Sequence, residues 1–332
     1  MNDLFTLRGD IAARSEPIRA ESLSFGRDAW RRLRKNKAAM VCLIILAVII
    51  AVAYLCPVLA PRDPNEQNLA YKNLPMKLPG VHIHGLDGTL KFRGQWVDRY
   101  ELAGVPEEVF FVFGTDEFGR DLFSRVLYGT RISLTIAFLA ALLDLSIGLV
   151  FGLVAGMCGG WVDNIMMRFL EILSGVPNLV IVVIMILIFQ PGLTSILLAM
   201  ALSSWIPMAR IVRAQTLKIR NMEYVSAARV LGASKLEIAV RHVIPNISGL
   251  VVVRTMFSIP SAIFFETFLS FIGVGMKIPN ASIGTLLNGG YKVFKLYPSQ
   301  MAIPAVVICV IMLAFNLFAD GLRDAFDPKI KE

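Results

Sequence analysis

Apolar and polar residues separate into long blocks along this chain of 332 residues. Residues 1–37 are polar, and their second half carries Arg27, Arg31, Arg32, Arg34, Lys35 and Lys37 around Trp30. Residues 38–60 then run without a charge. A helix crosses a bilayer with roughly 20 apolar residues, so this run predicts a first span. Further apolar runs follow at 132–157, 165–189, 193–211, 247–271 and 301–319. The pattern predicts an all-α membrane protein with six transmembrane helices.

Six cations just before the first span place the N-terminus in the cytoplasm, because Lys and Arg collect on the inner side. The first run is too long for the apolar part of a cleaved signal. Leu55 before Cys56 is also wrong for a lipoprotein cut. With the N-terminus inside, residues 61–131 form an external segment. Within it, 119–131 reads as an amphipathic helix, with Leu122, Phe123, Val126 and Leu127 on one face. Two readings stand: a helix on the outer membrane surface, or a packed helix of a small external domain. Residues 132–320 hold the five remaining spans, and the tail 321–332 returns inside. Gly159-Gly160 marks an inner turn and Pro191-Gly192 an outer one. Trp205 and Arg210 read as an interfacial aromatic and cation. The loop 210–246 is basic, and four crossings from an inside start also bring it inside. Pro177 and Pro260 are candidate kinks.

Composition agrees with a lipid solvent: 56% of residues are hydrophobic and only 17% charged, against roughly 25% charged in soluble domains. The net charge of +8 sits at the ends of apolar runs, which argues against a nucleic-acid partner. Cys42, Cys56, Cys158 and Cys309 lie in or beside apolar runs and read as small hydrophobes. His82, His84 and His242 have no ligand cluster around them, so no metal is expected. No phosphate loop and no HExxH or GxSxG pattern occurs, so no bound cofactor and no catalytic set are expected.

The inner loop has the strongest local signals. Asn221 is a candidate N-cap, with Glu223 in the first turn that follows. Ala227 and Ala228 make that helix small-sided. Gly232 suits a left-handed C-terminal cap. Ser234-Lys235-Leu236-Glu237 has the capping-box pattern of a second helix start, and Pro245-Asn246 is expected to end that helix.

The segment Glu223-Tyr224-Val225-Ser226-Ala227-Ala228-Arg229-Val230-Leu231-Gly232-Ala233-Ser234, followed by Arg241-His242-Val243-Ile244-Pro245-Asn246, resembles the EAA loop of binding-protein-dependent ABC importer permeases. Ala227, Ala228, Gly232 and Pro245 match that pattern. Ser226 replaces its Glu, His242 its Ile and Ile244 its Leu. Two further stretches narrow the likeness to C-type permeases of the dipeptide/oligopeptide/nickel group. They are Gly114-Thr115-Asp116-Glu117-Phe118-Gly119-Arg120-Asp121 and the region from Asn316 to Pro328. The resemblance implies a type I importer permease fold (MetI-like), with a cytoplasmic coupling helix and an external insertion after the first helix. It implies that Glu223, Tyr224, Ser226, Ala227, Ala228, Leu231, Gly232, Ala233 and Ser234 meet an ATPase. It implies a second homologous permease, two ATP-binding subunits that hold ATP and Mg, and an extracellular or periplasmic solute-binding protein. The site would be a bacterial or archaeal cell membrane. Peptides are the favoured solute, with nickel chelates and glutathione as alternatives. A stand-alone secondary transporter would need no ATPase-docking loop.

Asp144, Glu171, Arg254 and Glu266 lie within or near the ends of spans. Ionised groups facing lipid at mid-bilayer are costly, so such groups face helices or water. They are candidates both for the translocation pathway and for interhelical structure.

The topology is open to direct test. A single cysteine at Gly88, in a chain stripped of its native cysteines, is expected to react with an impermeant thiol reagent from outside. A cysteine at Lys235 is expected to react only after the membrane is opened. The opposite labelling pattern would refute the N-inside arrangement.

Overall fold

The computed structural model describes residues 25–92, 94–276 and 280–327. Residues 1–24 of the expected cytoplasmic segment and 328–332 of the tail lie outside the described residues, as does Pro279. The cation cluster forms a short helix, α1 (Phe25–Lys35), that leads into α2 (Lys37–Tyr54). Asn36 separates the two and caps α2 by accepting from the Ala39 N–H at 3.1 Å. Leu33 and Ala39 then pack on Ala325 near the other end of the chain. A one-turn helix, α3 (Cys56–Leu59), follows α2.

Residues 60–92 and 94–121, the segment expected to be external, fold as a lobe. Two short antiparallel strands, β1 (Thr89–Phe92) and β2 (Gln95–Asp98), pair Leu90 with Val97. Asp98 caps the short helix α4 (Arg99–Leu102). Tyr100 is buried with Leu74 and Phe111. Its hydroxyl donates to the Pro75 carbonyl at 3.0 Å and accepts from the Phe111 N–H at 3.3 Å. Burial pushes its phenol well above the ordinary tyrosine range.

The next helix, α5 (Leu122–Cys158), is unbroken over 37 residues. At 1.5 Å per residue it is about 55 Å long, against an apolar slab of about 30 Å. The expected amphipathic helix at 119–131 is therefore no separate element: its residues from Leu122 are the start of α5. Asp121 caps it, accepting from Ser124 N at 2.9 Å.

The third apolar run is also not one straight helix. Helix α6 (Gly160–Ser174) and helix α7 (Asn178–Phe189) meet at a bend of 79°. Pro177 sits at the break, where it lacks an N–H and bars its predecessor from helical geometry. Helices α8 (Leu193–Ser203) and α9 (Ile206–Arg220) together continue the fourth run to Arg220. Trp205, expected at an interface, is instead buried between them and donates to the Ala201 carbonyl at 2.9 Å.

Helix α10 (Glu223–Val230) and helix α11 (Lys235–Ile238) form the inner loop. The chain then passes through a π-turn, Ala239–Val243, directly into α12 (Ile244–Phe271). Pro245 thus opens the fifth span rather than ending the helix before it. A proline in the first turn of a helix lacks only an N–H that would be unpaired there. The loop after α12 contains one helix that the glycine-rich sequence conceals, α13 (Ile283–Val293). Ser282 and Thr285 cap it reciprocally. The last span is α14 (Ser299–Phe326). Gln300 at its start donates to Asn73 Oδ1 at 3.0 Å and to the Thr115 carbonyl at 2.9 Å, which holds the external lobe down.

Among the described residues, five helical segments are long and apolar enough to cross a membrane. The bent pair α6–α7 makes a sixth if it is one span. Helices α5 and α9 pack closely because α5 offers Gly148, Gly152 and Gly156 at four-residue spacing. A Cβ on Gly152 would stand 2.6 Å from the Ala209 carbonyl oxygen and 2.7 Å from Val212 Cβ. Stripes of small residues allow close approach of this kind between membrane helices.

Gly152→Leu is expected to force α5 and α9 apart, since overpacking a tight interface typically costs about 1–3 kcal/mol. The thermal midpoint of the detergent-purified protein should fall by several degrees. Val154→Ala, at an exposed position of α5, should disturb it less. An unchanged midpoint for Gly152→Leu would show that the contact is dispensable.

Candidate functional site

The inner loop is built around one buried residue. Val225 of α10 is closed off against Ile238, Val243 and Ile247, so α10 lies flat over the inner ends of α9 and α12. Asn221, expected to cap α10, instead ends α9, and Met222 takes the N-cap position without a side-chain bond. Glu223 still sits in the first turn. Helix α10 closes with two reverse hydrogen bonds, Gly232 N to Arg229 O and Ala233 N to Ala228 O, each 3.0 Å. Gly232 has φ of +95°, the left-handed conformation expected of it. Ser234 accepts from Glu237 N at 3.2 Å and starts α11.

Eight residues define the top of this corner. Glu223, Tyr224, Ser226, Ala227, Leu231, Gly232 and Ser234 are exposed and Ala228 is half-buried. Ala233, by contrast, packs partly against the buried cluster beneath. The corner also presents Val230, Leu231 and Leu236, which are 87%, 88% and 75% exposed. Val230 and Leu236 were not singled out from the sequence. Their signal is their apolar character in a segment otherwise rich in charge. Beneath them Tyr224 meets the His242 ring edge-on at 5.9 Å, and Asn246 donates to the His242 carbonyl at 2.7 Å.

The structure does not bring the four intramembrane candidates together. Glu266 on α12 is fully buried. It accepts from Ser133 Oγ on α5 and Ser270 Oγ on its own helix, both at 2.8 Å. Ser133 Oγ also accepts from Ile283 N at 3.4 Å, so the carboxyl joins α5, α12 and α13. Asp144 on α5 is buried and accepts from Ser204 Oγ between α8 and α9. Glu171 pairs with Arg168 at 2.8 Å on the exposed side of α6. Arg254 borders a cavity between α9, α12 and α14.

One charge pair escaped the sequence reading. Arg213 on α9 grips Asp163 on α6 with two bonds of 2.5 and 2.6 Å. Two turns further on, Arg220 donates to the Gly156 carbonyl at 2.8 Å and caps the inner end of α5. The stretch 114–121 also proves structural. Asp116 Oδ2 lies 2.6 Å from Arg120 Nε and 3.5 Å from Arg125 Nε, and Arg125 donates to the Pro64 carbonyl at 2.8 Å. Thr115 Oγ1 accepts from Leu74 N at 2.8 Å. These bonds tie the external lobe to the start of α5.

Residues 148–332 match the model of the family described as "Binding-protein-dependent transport system inner membrane component". The chain belongs to that family. Residues 24–75 match the N-terminal TM domain of oligopeptide transport permease C. A dipeptide transport system permease protein, DppC, of Lactococcus lactis subsp. cremoris is 44% identical over 100% of this chain and 99% of its own length. An oligopeptide transport system permease protein, OppC, of Bacillus subtilis is 39% identical over 97% of this chain and 95% of its own. Among solved structures, an inward-facing conformation of the MetNI methionine ABC transporter aligns with a TM-score of 0.52 at 17% identity. It covers 62% of this chain and 98% of that one. This likeness establishes the permease fold. As a member of that family, the chain is a permease component of an ABC importer.

A Cβ on Gly232 meets no atom within 4 Å, so its substitution is opposed by the backbone alone. That opposition is roughly 1–2 kcal/mol. Gly232→Ala should keep most transport, and Gly232→Val should reach the membrane at near-normal abundance yet lose transport. Immunoblots of membranes and uptake assays check both; normal uptake by Gly232→Val would overturn the rigid-corner reading.

Proposed function

We propose that this chain forms one half of the translocation pathway of an ATP-driven peptide importer and transmits ATPase movement through the corner Glu223–Ser234. The single observation that carries the reading is the exposed apolar tip of Val230, Leu231 and Leu236. Apolar side chains do not stay solvated without cause when a buried core lies beside them, and an exposed patch of this kind marks a partner surface. Val225 and Ile238 anchor the tip from below, so force applied to it reaches α9 and α12. In this reading the partner is an ATPase subunit, two of which hold ATP and Mg. A second homologous permease completes the conduit, and a solute-binding protein delivers the solute from outside. Both termini lie in the cytoplasm of a bacterial or archaeal cell. The chain itself catalyses no reaction. The full-length similarity to permeases named for dipeptide and oligopeptide transport supports peptides as the cargo.

The purified chain alone is expected to hydrolyse no ATP, with hydrolysis appearing once the ATPase subunits are coexpressed. Leu231→Cys should crosslink to an ATPase subunit. Leu231→Asp should weaken ATPase copurification at least tenfold, as loss of a central apolar anchor does. Retained copurification and transport by Leu231→Asp would refute the docking role.

A further inference from the structure

Resting on the peptide reading above, we propose that Arg254 receives the carboxylate of the transported solute on this subunit's face of the conduit. Helix α12 leaves one stripe only partly covered: Leu250, Ser261, Phe264 and Phe268 are exposed and Arg254 and Phe257 half-buried, at three- and four-residue spacing that puts them on one face. Arg254 is the one ionisable group on it. Ten residues into α12, it stands about 15 Å from the inner end of that helix. A cation beside apolar walls must face water or an anion, because hydrocarbon does not solvate it.

Among the described residues the Arg254 guanidinium makes no hydrogen bond and no ion pair. Asp144 attracts it only through space, and accepts from the Ser204 hydroxyl. A cavity of about 420 Å³ opens beside it, walled by Ile211, Leu250, Val253 and Phe257 and carrying Arg323 and Asp327 at the α14 end. The Asp327 carbonyl there is held by Arg32 at 3.2 Å. The space is of the size that binds small solutes. A guanidinium presents a planar fork of donors that matches a carboxylate two bonds at a time. Apolar walls on either side suit the side chains of a short peptide. A lipid phosphate offers the same anionic chemistry, and the dependence on anionic lipid content separates the two sources.

The test uses the complete importer reconstituted in liposomes with its binding protein. Trialanine and its C-terminal amide are the paired substrates. Arg254→Gln should lower ATP-driven uptake of trialanine roughly tenfold, the usual weight of a lost charged hydrogen bond. Arg254→Lys should recover part of it, and amide uptake should match the parent. The binding protein can itself reject the amide, so a second arm acts on the arginine directly. Arg254→Cys in a cysteine-free chain should regain trialanine uptake after 2-aminoethyl methanethiosulfonate restores a positive charge. The neutral methyl reagent and the anionic sulfonatoethyl reagent should not restore it. Equal loss for both substrates, rescue by the neutral reagent, or a loss that tracks the anionic lipid content of the vesicle would each overturn the proposal. No ATP-driven trialanine uptake by the parent would instead refute the peptide reading on which it rests.

Discussion

The close approach of α5 to α9 is the contact on which the other elements depend. Three glycines let the α9 side chains Met208, Val212 and Thr216 lie against the α5 backbone. Lipid tails are as apolar as leucine, so burial alone does not drive membrane helices together; intimate packing and polar bonds do. Once α9 is seated, Arg220 reaches the Gly156 carbonyl and Arg213 reaches Asp163 on α6. Ile219 then helps to floor the pocket that holds Val225. The inner corner is therefore positioned by a chain of contacts that begins with the absence of three side chains.

Polar bonds of a different kind hold the outer half. Glu266, Ser133, Ser270 and the Ile283 N–H form one enclosed group that joins three helices. Buried polar groups are costly unless satisfied, so each member restricts where its neighbours can go. Gln300 and the Asp116–Arg120–Arg125 group extend the same logic to the external lobe. The spans are thus registered by enclosed side-chain hydrogen bonds at one end, and by glycine packing with two arginine contacts at the other.

Much of this was legible in the sequence. The unbroken apolar runs located the spans, because length and lack of charge are what a bilayer demands. Gly232 and Ser234 located the corner, because a left-handed cap and an N-cap are local requirements of the backbone. What stayed hidden was non-local. Nothing near Leu122 says that the amphipathic turn and the second span share one axis; only the absence of a breaker between 119 and 157 hints at it. The run 165–189 reads as one mainly apolar stretch, and its 79° bend falls at Pro177 inside it. Trp205 carries an interfacial composition but a buried location, since Phe151 and Leu170 close over it. The exposure of Val230 and Leu236 had one signal, apolar character in a segment rich in charge, and that signal does not by itself separate exposed from buried. In a periodic pattern an apolar residue is presumed buried until the surface beneath it is known to be full.

The unbroken length of α5 has a mechanical consequence. A helix without proline or a π-turn resists bending, since any kink must break or displace its ladder of backbone bonds. Its outer end is fastened to the external lobe at Asp121 and Arg125, and its inner end is fastened to α9 through Gly156 and Arg220. A tilt imposed at either face of the membrane therefore arrives at the other as the same tilt, swung through the length of the rod. Events on opposite sides of the bilayer share one axle, with no joint in it to absorb the motion.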